Sequence, residues 1–599
     1  MRAPWRQVGR PLQVPTQGRC SVNGGALVAE VLKRRGVPYL FTLCGGHISP
    51  ILVECKRRGI RVVDTRHEVN AVFAADAVAR MTGMPGVAAV TAGPGITNTI
   101  TAIKNAQMAQ SPLILLGGAT ATVLRGRGSL QDIDQLALMR PHVKWMAACK
   151  RVKDLVPALE TAFEMATSGV PGPVFVECPV DLLYDADTVK SWYLVKSAAG
   201  KQASLQDRVV ERYLKWHTGR LFAGVPADPF SEPLPAEVPQ PPAGLVQKAC
   251  ARLAKAERPV LVIGSGALQC PQEAADIAAA VEKLGIPTYL SGTARGLLGS
   301  GHTLQLRHGR RNALKKADLV VLAGVPCDFR LDYGKHISRR TFLVAANRSY
   351  ADLTLNRSPD LAVYADPGRL LQAMCAVPPD ATRWAGWLTE LRAADADRDT
   401  QIEADAAQPA DQYCNPLAVC RQLEALLPDD SVLVADGGDF VATASYIVRP
   451  RRRLSWLDPG VFGTLGVGGG FAIGAQCVRP QAQVWIVYGD GSVGYSLAEF
   501  DTYVRHKLPV IALVGVDGSW MQIAREQVEV LGDSCGTDLL RTSYHKAAEG
   551  LGGVGFEVTD PGQLPEVFAK AQEASRSGRP VLINAQIGRT LFRKGSISI

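Results

Sequence analysis

One stretch near the carboxyl end, VWIVYGDGSVGYSLAEFDTYVRHKLPVIALVGVDGSW at residues 484–520, constrains the fold of this chain more than any other. It reads as an apolar strand, a glycine-framed acid, a helix at about 495–507, and a second apolar strand ending in another acid. Parallel neighbours need such a helical crossover, so this is one βαβ unit with a carboxylate at the carboxyl end of each strand. In an open parallel sheet, ligands settle in the crevice beyond those ends. Two hard oxygen donors there suit Mg²⁺ carrying a phosphate group. Asp490 lies between Gly489 and Gly491, which let a ligand come close to the main chain, with Ser492 next. Asp517 follows 27 residues later. A lone Gly-Asp-Gly is more often a plain βα turn with solvated acids, so the rest of the chain has to discriminate.

At 599 residues and 47% hydrophobic composition, the chain is long enough for about three or four domains with real cores. The strand and helix patterning predicts an α/β protein of three doubly wound parallel-sheet domains. Residues 1–20, rich in Arg, Pro and Gln, are expected to be disordered. The N-terminal domain is placed at 21–195, a linker at 196–242 closing on the Pro-rich VPADPFSEPLPAEVPQPP, and the central α/β domain at 243–380. An Ala- and Asp-rich helical connector at 381–411 leads into the C-terminal domain, 412–599.

The net charge of +10 is scattered in small clusters: Lys56 to Arg58, Arg310 with Arg311, and Arg451 to Arg453. These read first as solvated faces, and the positive potential they add favours an anionic substrate such as an acyl-CoA. No aromatic-interleaved basic stripe appears, so no nucleic-acid partner is expected. Thirteen cysteines without a CxxC pair argue against a disulfide framework or a zinc site. No apolar run reaches the roughly 18 residues that span a bilayer.

Residues 484–520 resemble the signature of the thiamine diphosphate (ThDP) enzymes, in which Gly-Asp-Gly opens a segment closing on an Asn pair. The resemblance implies Mg²⁺ held by Asp490, Asp517 and the main-chain carbonyl of Ser519. Val516 and Asp517 stand where that family usually has the two asparagines; an Asp remains a hard oxygen ligand while adding negative charge. RVVDTRHEVNAVFAADAVAR, residues 61–80, resembles the strand and helix start that carry the family's catalytic glutamate. Glu68 is then the group that shares a proton with ring nitrogen N1′ of the aminopyrimidine.

TAGPGITNTITAI at 91–103 resembles the turn and helix beside the cofactor, and Gln131 in SLQDID resembles the family's active-site glutamine. FGTLGVGGGFAIGA at 462–475 resembles the cofactor segment, which places Leu465 under the thiazolium with Gly463 and Thr464 beside it. Gly437, Gly438 and Asp439 in VLVADGGDF lie at another strand end and are candidates for cofactor contact. His47 in GGHISP and Gln131 are candidates to position or relay a substrate hydroxyl proton; a loop-capping role fits His47 equally well. The implied architecture is that of the ThDP-dependent lyases and decarboxylases, with the cofactor between domains of two subunits in a homodimer or homotetramer.

Acetolactate synthases, which share the family, hold FAD in the central domain at a strand ending DIDP. Here the corresponding strand is TFLVAANRS, 341–349, and IGSGA at 263–267 lacks the full dinucleotide fingerprint, so no FAD is expected. VGYSLAEFDT at 493–502 is closer to the oxalyl-CoA decarboxylases and 2-hydroxyacyl-CoA lyases. GGHISP, DTRHEV, KNAQMAQSP, LDPGVFGTLGVG and the ending FRKGSIS resemble the latter. That implies cleavage of 2-hydroxyacyl-CoA to formyl-CoA and a fatty aldehyde one carbon shorter, in fatty acid α-oxidation at the endoplasmic reticulum. The resemblance also implies an N-terminal membrane helix, which this chain does not show, leaving a cytoplasmic location open. Two other classes stay open: an acetolactate synthase-like carboligase of 2-oxo acids, and a non-catalytic paralogue, toward which the Val516-Asp517 departure points.

Overall fold

The computed structural model of the protein describes residues 23–196, 205–226, 228, 230 and 237–593; the segment 1–20, expected to be disordered, lies outside them. The described chain forms three six-stranded sheets in which every pairing is parallel. In spatial order the first sheet runs Arg61–Asp64, Tyr39–Thr42, Gly86–Val90, Leu113–Ala119, Pro173–Pro179, Trp145–Ala148. The second runs Leu361–Tyr364, Phe342–Asn347, Leu319–Ala323, Pro259–Ile263, Thr288–Leu290, Gln305–Leu306. The third runs Trp456–Leu457, Ser431–Asp436, Gln483–Gly489, Ile511–Val516, Val581–Gln586, Val554–Val558. Central strands such as LILLGGA and LVVLA are buried along their whole length, as parallel strands covered by helices on both faces must be.

The first and third sheets share one core through a helix pair. The helix Glu68–Thr82 starts where the His67 ring accepts a hydrogen bond from Val69 N and stops at Gly83, whose φ of 75° only glycine adopts cheaply. Its small residues lie against the glycine-rich helix Val467–Val478. A Cβ on Gly470 would sit 2.5 Å from Phe73 Cβ, and one on Gly474 only 2.3 Å from the Ala74 carbonyl oxygen. The missing side chains thus let two backbones touch, and Phe73 packs edge-on to Phe471 at 5.6 Å beside that contact.

Three elements differ from the sequence expectation. The helix expected over about 495–507 is shorter, Glu499–His506, because the chain turns at Gly494 and the residues after it; a separate short helix, Asp490–Val493, precedes that turn. The segment 196–242, expected as a linker, contains the helix Leu205–Phe222, which buries Leu221 in the N-terminal core and joins His217 to Thr122 at 2.9 Å. The prolines that mark a linker all follow that helix, from residue 226 on. Arg310 and Arg311, read as a solvated face, also line a cavity, Arg310 half-buried and Arg311 exposed. The helix Ala385–Ala406 runs through the segment expected as a connector. Among the described residues no helix is long and apolar enough to cross a membrane, and every described cysteine is a free thiol.

Candidate active site

At the carboxyl ends of the third sheet a cavity of about 330 Å³ collects the predicted acids and glycines. The Gly489–Asp490 step leaves the strand, and Asp490, 3% exposed, opens a short helix. Its carboxylate accepts Gly491 N at 2.9 Å and Gly518 N at 2.7 Å, which fixes it toward the loop after the neighbouring strand. Asp517 lies in that loop and accepts Ser519 N at 3.0 Å. Burial holds Asp490 above the ordinary carboxylate range. Burial, and then the negative charge of Asp490, pushes Asp517 up to about 7. A buried carboxylate that raises a half-buried neighbour in this way is a poor arrangement for a bare protein and a good one for a divalent cation.

The glycines divide by role. A Cβ on Gly491 would strike the Trp520 ring at 2.3 Å, so that position is small for packing. A Cβ on Gly489 would meet nothing closer than 3.9 Å, and Gly463, at φ 64°, faces open space. These two leave main chain exposed to a ligand. Gly437, Gly438, Leu465 and Ser519 also line the cavity, whereas Thr464 does not. Two expected contacts are committed elsewhere. The Ser492 hydroxyl donates to the main-chain oxygens of Asp436 and Gly489, at 2.5 and 3.0 Å, and the Asp439 carboxylate pairs with Arg525 at 2.6 Å.

Asp436 was not anticipated from the sequence. Fully buried at its strand end, it accepts Gly466 N at 3.0 Å and Gly468 N at 2.7 Å, tying the glycine loop to the sheet. Burial pushes its carboxyl up to about 7. Its position as the last residue of an apolar strand, two before Gly438, is the signal that could have found it. Trp520, Met521 and Gln522 line the cavity as well, and no local motif announces them.

The N-terminal candidates gather at the carboxyl ends of the first sheet. Glu68, 6% exposed, accepts Asn98 Nδ2 at 3.0 Å, and Asn98 follows the Gly-Pro-Gly turn. His47 shares a 3.0 Å hydrogen bond with the Thr91 hydroxyl, and burial lowers its pKa, which keeps the ring neutral near pH 7. Gln131 has a left-handed φ of 63° and presses on Gly93, where a Cβ would lie 2.8 Å from the Gln131 carbonyl oxygen. None of these three lines the cavity around Asp490.

Glu499, the glutamate of GYSLAEFDT, is fully buried where the two domains meet. It accepts Arg66 N at 3.0 Å, Asn70 Nδ2 at 2.8 Å and the Thr502 hydroxyl at 2.6 Å, clamping the loop that presents Glu68. A motif read for its branch wording thus has a mechanical job.

A cavity of about 570 Å³ lies where the central domain's strand ends after IGSGA and VAANRS face residues 107–112 of the N-terminal domain and Asp458 and Gly460 of the C-terminal domain. Gly266 there is small because Gly324 Cα would stand 2.9 Å from its Cβ, and Arg348 is buried in an ion pair with Asp366 at 2.8 Å.

Among the described residues no group of three or more His, Cys, Asp or Glu side chains is arranged to hold a metal. The Asp490–Asp517 pair would therefore need main-chain and ligand oxygens to complete a cation's shell.

Sequence comparison places these observations. The model of the thiamine pyrophosphate enzyme N-terminal TPP binding domain matches residues 22–138, that of the central domain 246–374, and that of the C-terminal TPP binding domain 436–585. The chain is 51% identical over 583 residues to 2-hydroxyacyl-CoA lyase 2 of Homo sapiens, covering 96% of this chain and 92% of the relative. It is 49% identical over 590 residues to 2-hydroxyacyl-CoA lyase 2 of Danio rerio, covering 98% and 94%. It is 33% identical over 567 residues to the acetolactate synthase large subunit of Mycobacterium tuberculosis, covering 94% and 95%.

Proposed function

The chain belongs to the thiamine pyrophosphate enzyme family and is a ThDP-dependent lyase, and we propose that it cleaves 2-hydroxyacyl-CoA, with Mg²⁺, to formyl-CoA and a fatty aldehyde one carbon shorter. The observation that carries the metal reading is the pairing of buried Asp490 with half-buried Asp517, whose repulsion a divalent cation would relieve. The relatives named 2-hydroxyacyl-CoA lyase 2, about half identical along nearly the whole chain, support the substrate. Fatty acid α-oxidation at the endoplasmic reticulum is the setting that goes with that substrate.

When bound, ThDP supplies a nucleophilic thiazolium carbon and an electron sink, and Mg²⁺ anchors its diphosphate. Asp490, Asp517 and the Ser519 carbonyl would hold the cation, with Gly489 and Gly463 offering open main chain to the phosphate oxygens. Leu465, on the cavity wall, would support the thiazolium ring. Glu68, oriented by Asn98, holds a proton against the pyrimidine nitrogen. His47, neutral and fixed by Thr91, accepts the 2-hydroxyl proton as the carbon-carbon bond breaks. Gln131 positions the thioester carbonyl from its constrained loop. That Glu68 does not line the cavity around Asp490 supports a complete site formed between two subunits of a homodimer or a homotetramer.

The 33% identity to an acetolactate synthase supports a second reading, carboligation of 2-oxo acids. Purified protein supplied with ThDP and Mg²⁺ decides between them when given 2-hydroxyacyl-CoA or pyruvate. Formyl-CoA and aldehyde are expected; acetolactate from pyruvate would overturn the substrate assignment, and no product from either would overturn catalysis.

A further inference from the structure

A second cavity, about 560 Å³, lies between the central and C-terminal domains, and its charge is one-sided. Arg295, Arg307, Arg310, Arg398, Arg449 and Arg593 line it, and no Asp or Glu does. Three of these arginines are aimed by main-chain oxygens rather than by acids: Arg295 donates to Ser445 O at 2.8 Å, Arg307 to Tyr446 O, and Arg310 to Arg330 O at 2.8 Å. None of the three pairs with a carboxylate among the described residues. Burial, and then the charge of Arg449, pushes Arg307 down to about 10; burial, and then Arg295 and Arg330, lower Arg310. Cations held together against their own repulsion, with forked donors facing a void, form a site for several phosphate groups at once.

The cavity adjoins the cofactor site. The helix Asp439–Ile447 contributes Asp439 to the cavity around Asp490 and Tyr446 to the arginine cavity, about 10 Å further along its axis. Arg593 Nε stands 3.9 Å from the Asp439 carboxylate, bridging the two. A ligand gripped by its phosphates here, with its reactive carbonyl on a flexible arm, reaches the candidate active site along this helix. The exposed Tyr446 ring, stacked at 7° on His308, offers a flat aromatic face beside the arginines.

We propose that this arginine cavity binds the phosphorylated nucleotide end of the acyl-CoA thioester, with Arg295, Arg307 and Arg310 on its phosphates and Tyr446 against its base. The assignment rests on the acyl-CoA substrate proposed above.

Adenosine 3′,5′-bisphosphate titrated into the ThDP- and Mg²⁺-loaded enzyme tests it, together with kcat/KM for one 2-hydroxyacyl group carried on CoA and on pantetheine. The bisphosphate should compete with the CoA thioester. Arg307→Gln and Arg310→Gln should each weaken its binding, and lower the CoA-to-pantetheine kcat/KM ratio, by about tenfold or more, the loss of a charge-assisted hydrogen bond. Arg452→Gln, whose arginine pairs with Asp430 at 2.8 Å outside the cavity, should leave both unchanged. An unaltered ratio in both cavity variants would overturn the proposal. So would bisphosphate binding that depends on these arginines yet does not compete with acyl-CoA, since the cavity would then hold a free nucleotide. If no acyl-CoA is turned over, CoA binding lost in both variants still upholds the cavity, and CoA binding unaffected by them overturns it; the substrate reading fails separately.

Discussion

The first and third sheets are the same sheet twice. Each begins at one edge with its second strand, then its first, third, fourth, sixth and fifth, while the central sheet follows a different order. What separates the two is the chemistry at their carboxyl ends. The first sheet presents Glu68, a buried carboxylate satisfied by the Asn98 amide. The third presents Asp490 and Asp517, which repel each other, beside glycines that leave main chain open. One scaffold thus yields a half-site suited to an uncharged ring and a half-site suited to a cation with phosphates, and the difference lies in a few residues at strand ends rather than in topology.

The largest expected effect breaks the first half alone. Glu68→Gln keeps the helix start and the Asn98 contact but removes the shared proton, so turnover should fall at least ~10²-fold, as for loss of a general acid-base group, with ThDP still bound. Retained turnover would remove Glu68 from the chemistry. Next comes the clamp between the halves. Glu499→Gln turns an amide toward donors that now meet a carboxylate, and kcat should drop about tenfold from one unsatisfied buried contact while cofactor affinity holds. Equal losses in both would mean that Glu499 acts on the C-terminal half as well.

The shared core is tested by stability. Gly474→Ala pushes a methyl into the Ala74 carbonyl and should cost about 1–3 kcal/mol in urea denaturation, as overpacking does. An unchanged midpoint would show that the two helices are free to separate. The smallest effect is a pH slope. Asp436 has a folded-state value near 7 against an ordinary 3.8, so its contribution to stability is present below the lower value and lost as pH rises through the upper. Wild type should therefore lose more stability than Asp436→Asn between about pH 5 and about pH 8, and parallel slopes would refute that assignment.

The residues legible in the sequence were those whose role shows in a local pattern. Asp490 and Asp517 directly follow apolar strands, and Glu68 opens a helix after one. What stayed hidden depends on partners distant in the chain. Asp436 is defined by amides thirty and more residues away, Glu499 by a loop in another domain, and Gly491 by the Trp520 ring. Arg310 read as scattered surface charge, and Arg307 and Arg449 carried no signal, because only the packing of two domains brings them round one cavity. Ser492 and Asp439 carried the opposite risk: they stand in the expected place, but their side chains are spent on the Asp436 and Gly489 carbonyls and on Arg525.

We propose that Glu68 of one subunit and the Asp490–Asp517 pair of another act on one cofactor. Coexpressing differently tagged Glu68→Gln and Asp490→Ala chains, each inactive alone, tests it most directly. In a mixed dimer one site would carry both changes and the other neither, so the population should regain about a quarter of wild-type turnover under two-fold symmetry. A purified mixed dimer as inactive as either variant alone would contradict the account.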